Sequence, residues 1–263
     1  MSVDSLAGRR VLVTGAAGGV GAAVAVAAAR AGAAAVVLSD RRQDDLSALA
    51  AEVEAVGARA VTIGADLSAE RAVVGLAKDA LQATGGIDVL VNSAGVHERA
   101  MAADTATDRL TSELWNVVMA VNLTAPWLLM RELAPAMRDT GGGTVVNIAS
   151  QLGIVGTERS PAYTTSKAGL IQLTRSAAVD LAPLGIRCNC VAPGAIETAM
   201  TNRIFAAAPD PGAARADALS TYLIKRFGDV GDVARAVCFL ASDASSWTTG
   251  SCLVVDGGQT AWR

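Results

Sequence analysis

The sequence is poor in the residue types that bind metal ions and nucleic acids. It contains one histidine, His97, and its four cysteines share no metal-ligand spacing. Lysine and arginine form no run, and the net charge is −3, so no basic surface for a nucleic acid is indicated. We therefore expect neither a zinc site nor a nucleic-acid partner. The cysteines are interpreted as small buried apolar side chains.

Long hydrophobic runs are also missing. The most apolar stretch, residues 22–38, is interrupted by Arg30 and Gly32 and is too short to span a membrane. Residues 1–10 lack the regions of a secretory signal peptide. Together with cysteines that fit a reducing compartment, these features predict a cytoplasmic protein that does not enter a membrane.

Apolar residues in short runs, by contrast, are abundant. They make up 52% of the 263 residues, and the mean hydropathy is +0.39. This length favours one large domain over residues 1–263 rather than two. The apolar content is enough for a substantial core and leaves surface that contacts between subunits would bury.

These short apolar runs alternate along the chain with longer stretches of helical periodicity. Most runs are continuously apolar, which is typical of strands covered on both faces. Candidate strands are residues 10–14, 35–39, 60–64, 89–92, 144–149, 187–191 and 251–255, and candidate helices are residues 20–31, 44–56, 69–83, 110–137, 162–181 and 229–241. The alternation predicts an α/β fold, a doubly wound parallel sheet of seven strands with helices on both faces. Residues 199–225 are expected to form an irregular substrate lid.

A glycine-rich turn follows the first strand and precedes a helix. Gly15, Gly19 and Gly21 are spaced Gly-x-x-x-Gly-x-Gly, with Val20 between the last two. Glycines allow the backbone to approach a pyrophosphate closely, and a helix N-terminus supplies amide donors for it. The turn is interpreted as a dinucleotide-binding loop. An ordinary glycine-rich turn between strand and helix is the alternative.

Asp40 ends the second strand, nineteen residues after Gly21. A carboxylate at this place can accept hydrogen bonds from the adenosine ribose hydroxyls, and it would repel a 2′-phosphate. The sequence therefore favours NAD over NADP. A solvated turn aspartate is the alternative, and Arg41 and Arg42 leave phosphate binding open.

The ends of two further strands are expected at the same sheet edge. Asp66 and Leu67 follow the third strand, where a side chain can meet the adenine, although Asp66 could instead cap the next helix. Asn92, Ala94 and Gly95 follow the fourth strand, and the small residues there would let a cofactor lie close to the backbone. Ligands of open α/β sheets bind at this edge.

Tyr163 and Lys167 form the main candidate for chemistry. They are four residues apart at the start of a helix and so share a face, and Ser150 ends the fifth strand at the cofactor edge. The lysine ammonium is expected to lower the pKa of the phenol, which would then exchange a proton with an alcohol oxygen. The Ser150 hydroxyl could hold that oxygen. A core tyrosine and a surface lysine at this spacing by coincidence are the alternative.

Together these residues resemble the short-chain dehydrogenase/reductase family, over nearly the whole chain. The resemblance adds Asn122, the asparagine of an Asn-Ser-Tyr-Lys tetrad, which would kink its helix and hold a water in a proton relay towards Lys167. It also implies that Lys167 binds the nicotinamide ribose, that Thr198 holds the carboxamide, and that the fold is a single Rossmann domain in a homotetramer or homodimer. The turn that carries this threonine supplies the remaining expected cofactor contacts, Pro193, Gly194 and Ile196.

The same resemblance places a substrate pocket beyond Ser150. Gln151, His97 and Met200 are expected to line it, with mostly apolar neighbours, although His97 could equally lie on the surface. We expect an NAD(H)-dependent oxidoreductase that acts on a secondary alcohol or ketone. An NADPH-dependent reductase of 3-oxoacyl thioesters or other ketones and a non-catalytic nucleotide-binding protein are the alternatives.

Overall fold

The computed structural model describes residues 5–262 of the chain. Strands and helices alternate over these residues. The strands are β1 (Arg10–Thr14), β2 (Ala35–Asp40), β3 (Arg59–Gly64), β4 (Val89–Asn92), β5 (Gly143–Ile148), β6 (Ile186–Pro193) and β7 (Cys252–Val255). The α helices are α1 (Gly19–Arg30), α2 (Ser47–Ala55), α3 (Glu70–Thr84), α4 (Ser112–Met119), α5 (Ala125–Asp139), α6 (Pro161–Leu181), α7 (Ala199–Ala206), α8 (Pro211–Ser220) and α9 (Val230–Ala241).

The seven strands form one parallel sheet in the order β3-β2-β1-β4-β5-β6-β7. After β3 the chain returns past β1 to begin the second half of the sheet at β4. The carboxyl ends of β1 and β4 therefore flank the point where the winding reverses, which is where open α/β sheets bind ligands. The predicted fold class is confirmed.

Helices cover both faces of the sheet. Side chains from α1, α2 and α9 form one core with the strands, and side chains from α3, α5 and α6 form the other. Successive residues of β1 alternate between them: Val11 and Val13 belong to the first core and Leu12 to the second. This two-sided burial explains why the strand sequences are continuously apolar.

The long helix predicted over residues 110–137 is interrupted. A π turn, Ala120–Thr124, separates α4 from α5. Pro126 explains its position, because a proline has no N–H to donate to the carbonyl four residues earlier, which belongs to Asn122, and its ring crowds that carbonyl. The π turn therefore places Asn122 at the widest part of the helix.

The segment predicted to be an irregular lid, residues 199–225, contains two helices instead. The Thr198 side chain caps α7 by accepting a hydrogen bond from Thr201 N (3.3 Å). Asp210 caps α8 by accepting from Ala213 N (2.9 Å), and Pro211 takes the first turn. The expectation of irregular structure is wrong here, because local capping lets both short helices form.

The helical run Ser112–Asp139 is long and apolar enough, by length and composition, to cross a membrane. More than half of its most apolar window is buried inside the fold. A core helix of an α/β domain meets the same criteria.

Candidate active site

A cavity of about 260 Å³ opens at the carboxyl edge of the sheet, between β1 and β4. We call it the switch-point cavity. Its walls include fifteen of the predicted site residues: Gly15, Gly19, Val20, Gly21, Asp40, Ala94, Gly95, Ser150, Tyr163, Lys167, Pro193, Gly194, Ile196, Thr198 and Met200. Gly18, Ser93, Ile148, Ala149, Ala199 and Thr201 also line it and were not predicted. The fold thus brings segments from six parts of the chain to one cavity.

The glycine-rich loop is packed too tightly for side chains. Gly15 has a φ of +66°, and a Cβ there would lie 2.6 Å from the Cα of Ala94. A Cβ on Gly21 would lie 2.2 Å from the carbonyl oxygen of Gly15. Thr14 holds the two strand ends together, since its Oγ1 accepts hydrogen bonds from Ser93 N (3.1 Å) and Ala94 N (3.2 Å).

The N-terminus of α1 points amide donors at this cavity. Its N-cap is Gly18, no side chain caps it, and its first turn contains no acidic residue. Uncapped amides and the helix dipole favour an anion at this position. The loop and the helix end therefore fit the pyrophosphate of a dinucleotide.

Asp40 lies on the wall of the same cavity, at the end of β2. Its Oδ2 accepts a hydrogen bond from Ala17 N (3.1 Å) and its Oδ1 from Arg41 N (2.7 Å). These contacts fix the carboxylate beside the glycine-rich loop. Each carboxylate oxygen keeps a further lone pair for a ribose hydroxyl.

Three residues predicted to bind the cofactor do not line the switch-point cavity. Asn92 is buried and donates to Asn147 Oδ1 (2.8 Å), which ties β4 to β5. Asp66 accepts from Ser68 N (3.0 Å) and Ser68 Oγ (2.7 Å), and these bonds lower the pKa of its carboxyl group. Leu67 packs against the core between the sheet and α3. These contacts form a local turn before α3, whose N-cap Ala69 makes no side-chain cap, so Asp66 does not cap that helix. Contact of Asp66 with the adenine stays a prediction.

Ser150, Tyr163 and Lys167 lie together on one wall of the cavity. Lys167 is 3% exposed, and its Nζ donates to the carbonyl oxygen of Ile148 (2.6 Å) and lies 5.7 Å from the centre of the Tyr163 ring. Ser150 follows β5 directly, and its hydroxyl accepts from Leu152 N (3.1 Å). The cluster is formed by the end of β5 and the first turns of α6.

The ionisation of this cluster differs from the sequence-based expectation. Burial raises the pKa of the Tyr163 phenol; the Ser150 hydroxyl lowers it and the negative charge of Glu98 raises it. Burial also lowers the pKa of Lys167 to about 8. The expected lowering of the phenol pKa by Lys167 is therefore not found: Lys167 is not among the groups that shift it, and desolvation of the phenolate is the largest effect.

Glu98 is a residue that the sequence analysis missed. It is fully buried, and its Oε1 accepts hydrogen bonds from Ala162 N (2.9 Å) and Tyr163 N (3.0 Å). It therefore caps α6, whose own N-cap residue, Ser160, makes no side-chain cap. Despite burial, these bonds and His97 leave the pKa of Glu98 below its usual value.

His97 is buried and lies against Tyr163. The two rings are stacked, with their centres 4.2 Å apart and their planes at 16°. The Nδ1 atom of His97 lies 3.3 Å from Glu98 Oε2 and accepts from Arg99 N (3.2 Å). The alternative of a surface histidine is wrong, because this side chain is only 5% exposed.

Asn122 reaches from the π turn to the loop after β4. Its Nδ2 donates to Val96 O (2.9 Å) and Ser166 Oγ (3.1 Å), and its Oδ1 accepts from Val96 N (2.9 Å). The side chain thus holds the Gly95–Val96 backbone against α6. Asn122 lies in a π turn, whereas the kink that Asn122 would cause and the water relay implied by the family stay predictions.

A second cavity of about 580 Å³, the outer cavity, adjoins the first and shares Ser150 and Tyr163 with it. The predicted substrate residues Gln151, His97 and Met200 all line it. Tyr222, which was not predicted, accepts a hydrogen bond from Gln151 Nε2 (3.3 Å) and one from Ala195 N (2.8 Å). The remaining wall residues are Arg99, Leu152, Val155, Gly156, Thr157, Gly194, Ala195, Thr201, Ile204, Phe205, Ala218, Thr221, Gln259 and Thr260.

Comparison with known proteins assigns the chain to a class. Residues 15–260 match a family model described as enoyl-(acyl carrier protein) reductase. The chain is 38% identical over 260 residues to a cis-4-hydroxycyclohexanecarboxylate dehydrogenase of Sinomonas cyclohexanicum, covering 98% of this chain and 99% of the relative. It is 36% identical over 253 residues to the 3-oxoacyl-[acyl-carrier-protein] reductase FabG of Thermotoga maritima, covering 96% and 98%. The chain belongs to the short-chain dehydrogenase/reductase family of oxidoreductases.

Solved structures agree with this assignment. A candidate NAD(P)-dependent gluconate 5-dehydrogenase from Beutenbergia cavernae, with bound NADP, superposes with a TM-score of 0.90 at 37% identity, covering 99% of this chain and all of that one. A xylitol dehydrogenase bound to NAD+ superposes with a TM-score of 0.90 at 31% identity, covering 96% and 99%. The fold therefore accommodates either nicotinamide dinucleotide.

Proposed function

We propose that the protein transfers a hydride between NAD(H) and the carbon of a secondary alcohol or ketone. The observation that carries this proposal is the position of Ser150, Tyr163 and Lys167 on the same cavity wall as the glycine-rich loop. A nicotinamide ring, when bound, supplies the hydride acceptor or donor. The substrate carbon would then lie in the outer cavity, which shares Ser150 and Tyr163.

Each side chain has a role that its position supports. The Ser150 hydroxyl holds the substrate oxygen and stabilises charge on it. The Tyr163 phenol gives a proton to that oxygen in reduction and takes it back in oxidation. Lys167 contributes a cation near the phenol and donors for ribose hydroxyls, and Asn122 positions the loop at Gly95 and Val96 against α6.

The NAD preference is supported by charge at the ribose position. The Asp40 carboxylate is fixed beside the glycine-rich loop and would repel a 2′-phosphate. Of the two following arginines, Arg42 forms an ion pair with Asp45, which occupies its guanidinium. Arg41 is exposed beside Asp40 and forms no ion pair within residues 5–262, so the preference for NAD rests on the Asp40 carboxylate.

A second candidate keeps the same chemistry with another cofactor and substrate. The relative from Thermotoga maritima is named a 3-oxoacyl-[acyl-carrier-protein] reductase, which favours reduction of an acyl thioester. The relative from Sinomonas cyclohexanicum is named for a hydroxy acid, which favours a small alcohol.

A non-catalytic nucleotide-binding role is the least supported alternative, since it gives the Ser150, Tyr163 and Lys167 cluster no function.

Two properties of the assembled protein belong to the same proposal. We expect a homotetramer, or a homodimer, in the cytoplasm. Trp115 and Trp127, on α4 and α5, are exposed on the single chain, as are Val117 and Val179. Large apolar side chains that are exposed on the single chain support burial between subunits. Light scattering at micromolar concentration tests this expectation, and a monomer would contradict it.

The cofactor proposal is tested by fluorescence titration with NADH and NADPH. We expect NADH to bind at least tenfold more tightly, a difference of about 1.4 kcal/mol, and Asp40→Ser to remove most of that difference. Asp44→Ser, in the neighbouring exposed turn, serves as the matched control. Tighter NADPH binding by the wild type would contradict the proposal and favour the second candidate.

The catalytic proposal is tested by turnover of alcohols and ketones with either cofactor. Tyr163→Phe is expected to lower kcat about 10²- to 10⁴-fold while cofactor binding stays unchanged, because only proton transfer is removed. Full activity of the Tyr163→Phe variant would exclude the phenol as the proton donor. No turnover across a broad panel would favour the non-catalytic alternative.

A further inference from the structure

Arg99 is a cation in the outer cavity that has no ion-pair partner among residues 5–262. It belongs to the short 3-10 turn Glu98–Ala100, lies half-buried, and lines the same cavity as Ser150 and Tyr163. Within residues 5–262, its guanidinium donates no hydrogen bond, and no carboxylate oxygen lies within 4.0 Å of it. A half-buried guanidinium that lines a cavity and has no ion-pair partner is available to bind an anion.

Of the charged groups around Arg99, Glu98 is engaged elsewhere, Arg159 repels it, and Glu158 attracts it from beyond ion-pair distance. Glu98 directs one carboxylate oxygen to the N-terminus of α6 and the other to His97. Arg159, which donates to the carbonyl oxygen of Ala103, has the same charge as Arg99. Burial and this like charge lower the pKa of Arg99, and the attraction of Glu158 and Glu98 opposes them only in part.

The chemistry of the cavity indicates what would neutralise this cation. A guanidinium presents five N–H donors in a planar fork that matches the two oxygens of a carboxylate. Much of the wall of this cavity is apolar and includes Leu152, Val155, Met200, Ile204 and Phe205. The cavity therefore combines the Tyr163 phenol, apolar side chains and a guanidinium.

We propose that Arg99 binds the carboxylate of the substrate, and that the substrates are hydroxy acids or keto acids whose carboxylate is separated from the reacting carbon by an apolar skeleton. This inference rests on the proposed function, because Tyr163 and Ser150 define where the reacting carbon lies. It adds a substrate class and a specificity-determining residue. A neutral alcohol of the same shape would leave the guanidinium unpaired on binding and is discriminated against for that reason.

The test compares keto acids with their methyl esters, which have nearly the same shape and no charge. We would measure kcat/KM with NADH and NADPH for 4-oxopentanoate, 6-oxoheptanoate, 4-oxocyclohexanecarboxylate and the three esters. The enzymes are the wild type, Arg99→Gln, Arg99→Lys and, as a matched control, Arg59→Gln, an exposed arginine at the amino end of β3.

We expect the wild type to prefer at least one acid over its ester by tenfold or more. Arg99→Gln should lower kcat/KM for that acid about 10- to 100-fold, mainly through KM, and change the ester less than twofold. Arg99→Lys should recover part of the loss, and Arg59→Gln should behave as the wild type. Equal losses for acid and ester, a wild-type preference for the esters, or efficient reduction of acetoacetyl-CoA that Arg99→Gln does not affect would overturn the inference.

A binding measurement separates failure of this inference from failure of the proposed function. If no ketone is reduced by any variant, the proposed function fails. Calorimetric titration of 6-oxoheptanoate into the protein with NADH present then still reports on Arg99. Binding that Arg99→Gln abolishes and Arg59→Gln preserves supports the anion site, and equal binding or no binding by wild type and Arg99→Gln refutes it.

Discussion

Replacing Glu98 with alanine is expected to lower the free energy of unfolding by about 2–4 kcal/mol. The carboxylate accepts hydrogen bonds from Ala162 N and Tyr163 N, at 2.9 and 3.0 Å, and Glu98 itself is fully buried. Truncation leaves both amides without an acceptor, and each unsatisfied buried donor costs about 1–3 kcal/mol. We expect the lower part of the range obtained by adding the costs of the two amides, because Tyr163 is only half-buried.

The Glu98→Gln variant separates the hydrogen bonds that cap α6 from the negative charge of the Glu98 side chain. The glutamine carbonyl oxygen can still accept both helix amides, so we expect a loss below about 1 kcal/mol relative to the wild type. The negative charge that raises the pKa of Tyr163 is absent in this variant. The phenol should therefore ionise at lower pH, and the pH profile of alcohol oxidation should move towards acid.

The pH dependence of the free energy of unfolding tests the role of Glu98 independently. The pKa of Glu98 is lowered in the folded protein, so its charge stabilises the fold above the unfolded pKa and this contribution is lost as the pH falls through the folded value. The difference in free energy of unfolding between wild type and Glu98→Gln should become smaller as the pH falls through the pKa of Glu98 in the folded protein.

The two assays for these Glu98 variants are urea unfolding at several pH values and the pH dependence of kcat/KM. An unchanged pH profile in a stable Glu98→Gln protein would refute the electrostatic part of the reasoning, and a stable Glu98→Ala protein would refute the capping part.

Two further predictions concern the loop and the fold. Gly21→Ala should weaken NADH binding at least tenfold in fluorescence titration, because the added Cβ would lie 2.2 Å from the carbonyl oxygen of Gly15. Gly75→Ala, with no atom within 4 Å of the added Cβ, is its control and should bind normally. Asp88→Ala should lower the free energy of unfolding in urea by about 2–4 kcal/mol, because three hydrogen bonds from Arg10 end on the Asp88 carboxylate. The pKa of Asp88 is lowered, so this loss should shrink as the pH falls through the folded value, and a pH-independent difference would contradict the assignment.

The sequence predicted those features of the fold and site that depend on residues close together in the chain. Continuously apolar runs indicated strands covered on both faces, and the order of strands and helices led to the parallel sheet. The glycine-rich turn could be found because Gly15 and Gly21 leave no space for side chains. Ser150, Tyr163 and Lys167 could be grouped because the sequence indicates where a strand ends and which residues share one face of a helix.

The remaining features depend on contacts between distant parts of the chain. Glu98 caps a helix that begins more than sixty residues later, and nothing in the sequence around it indicates that partner. Arg99 has no carboxylate oxygen within 4.0 Å in the part of the chain that the structure describes, and this depends on packing rather than on the local sequence. Other features did have local signals: Pro126, four residues after Asn122, accounts for the π turn, and Asp210 followed by Pro211 accounts for α8.

Burial shifts the pKa values of Tyr163 and Lys167 in opposite directions, because it disfavours the charged form of each: the phenolate of the tyrosine and the ammonium of the lysine. It raises the pKa of the Tyr163 phenol above its ordinary value and lowers that of the Lys167 ammonium to about 8. In the field of the protein alone, the phenol is therefore protonated at neutral pH. A protonated phenol can donate to the oxygen of a ketone, whereas oxidation of an alcohol needs the phenolate. An oxidised nicotinamide adds a positive charge that favours the phenolate, and its reduced form does not. We therefore expect the charge of a bound nicotinamide to couple the protonation of Tyr163 to the oxidation state of the cofactor, so that initial rates of reduction are flat near neutrality while those of oxidation rise with pH.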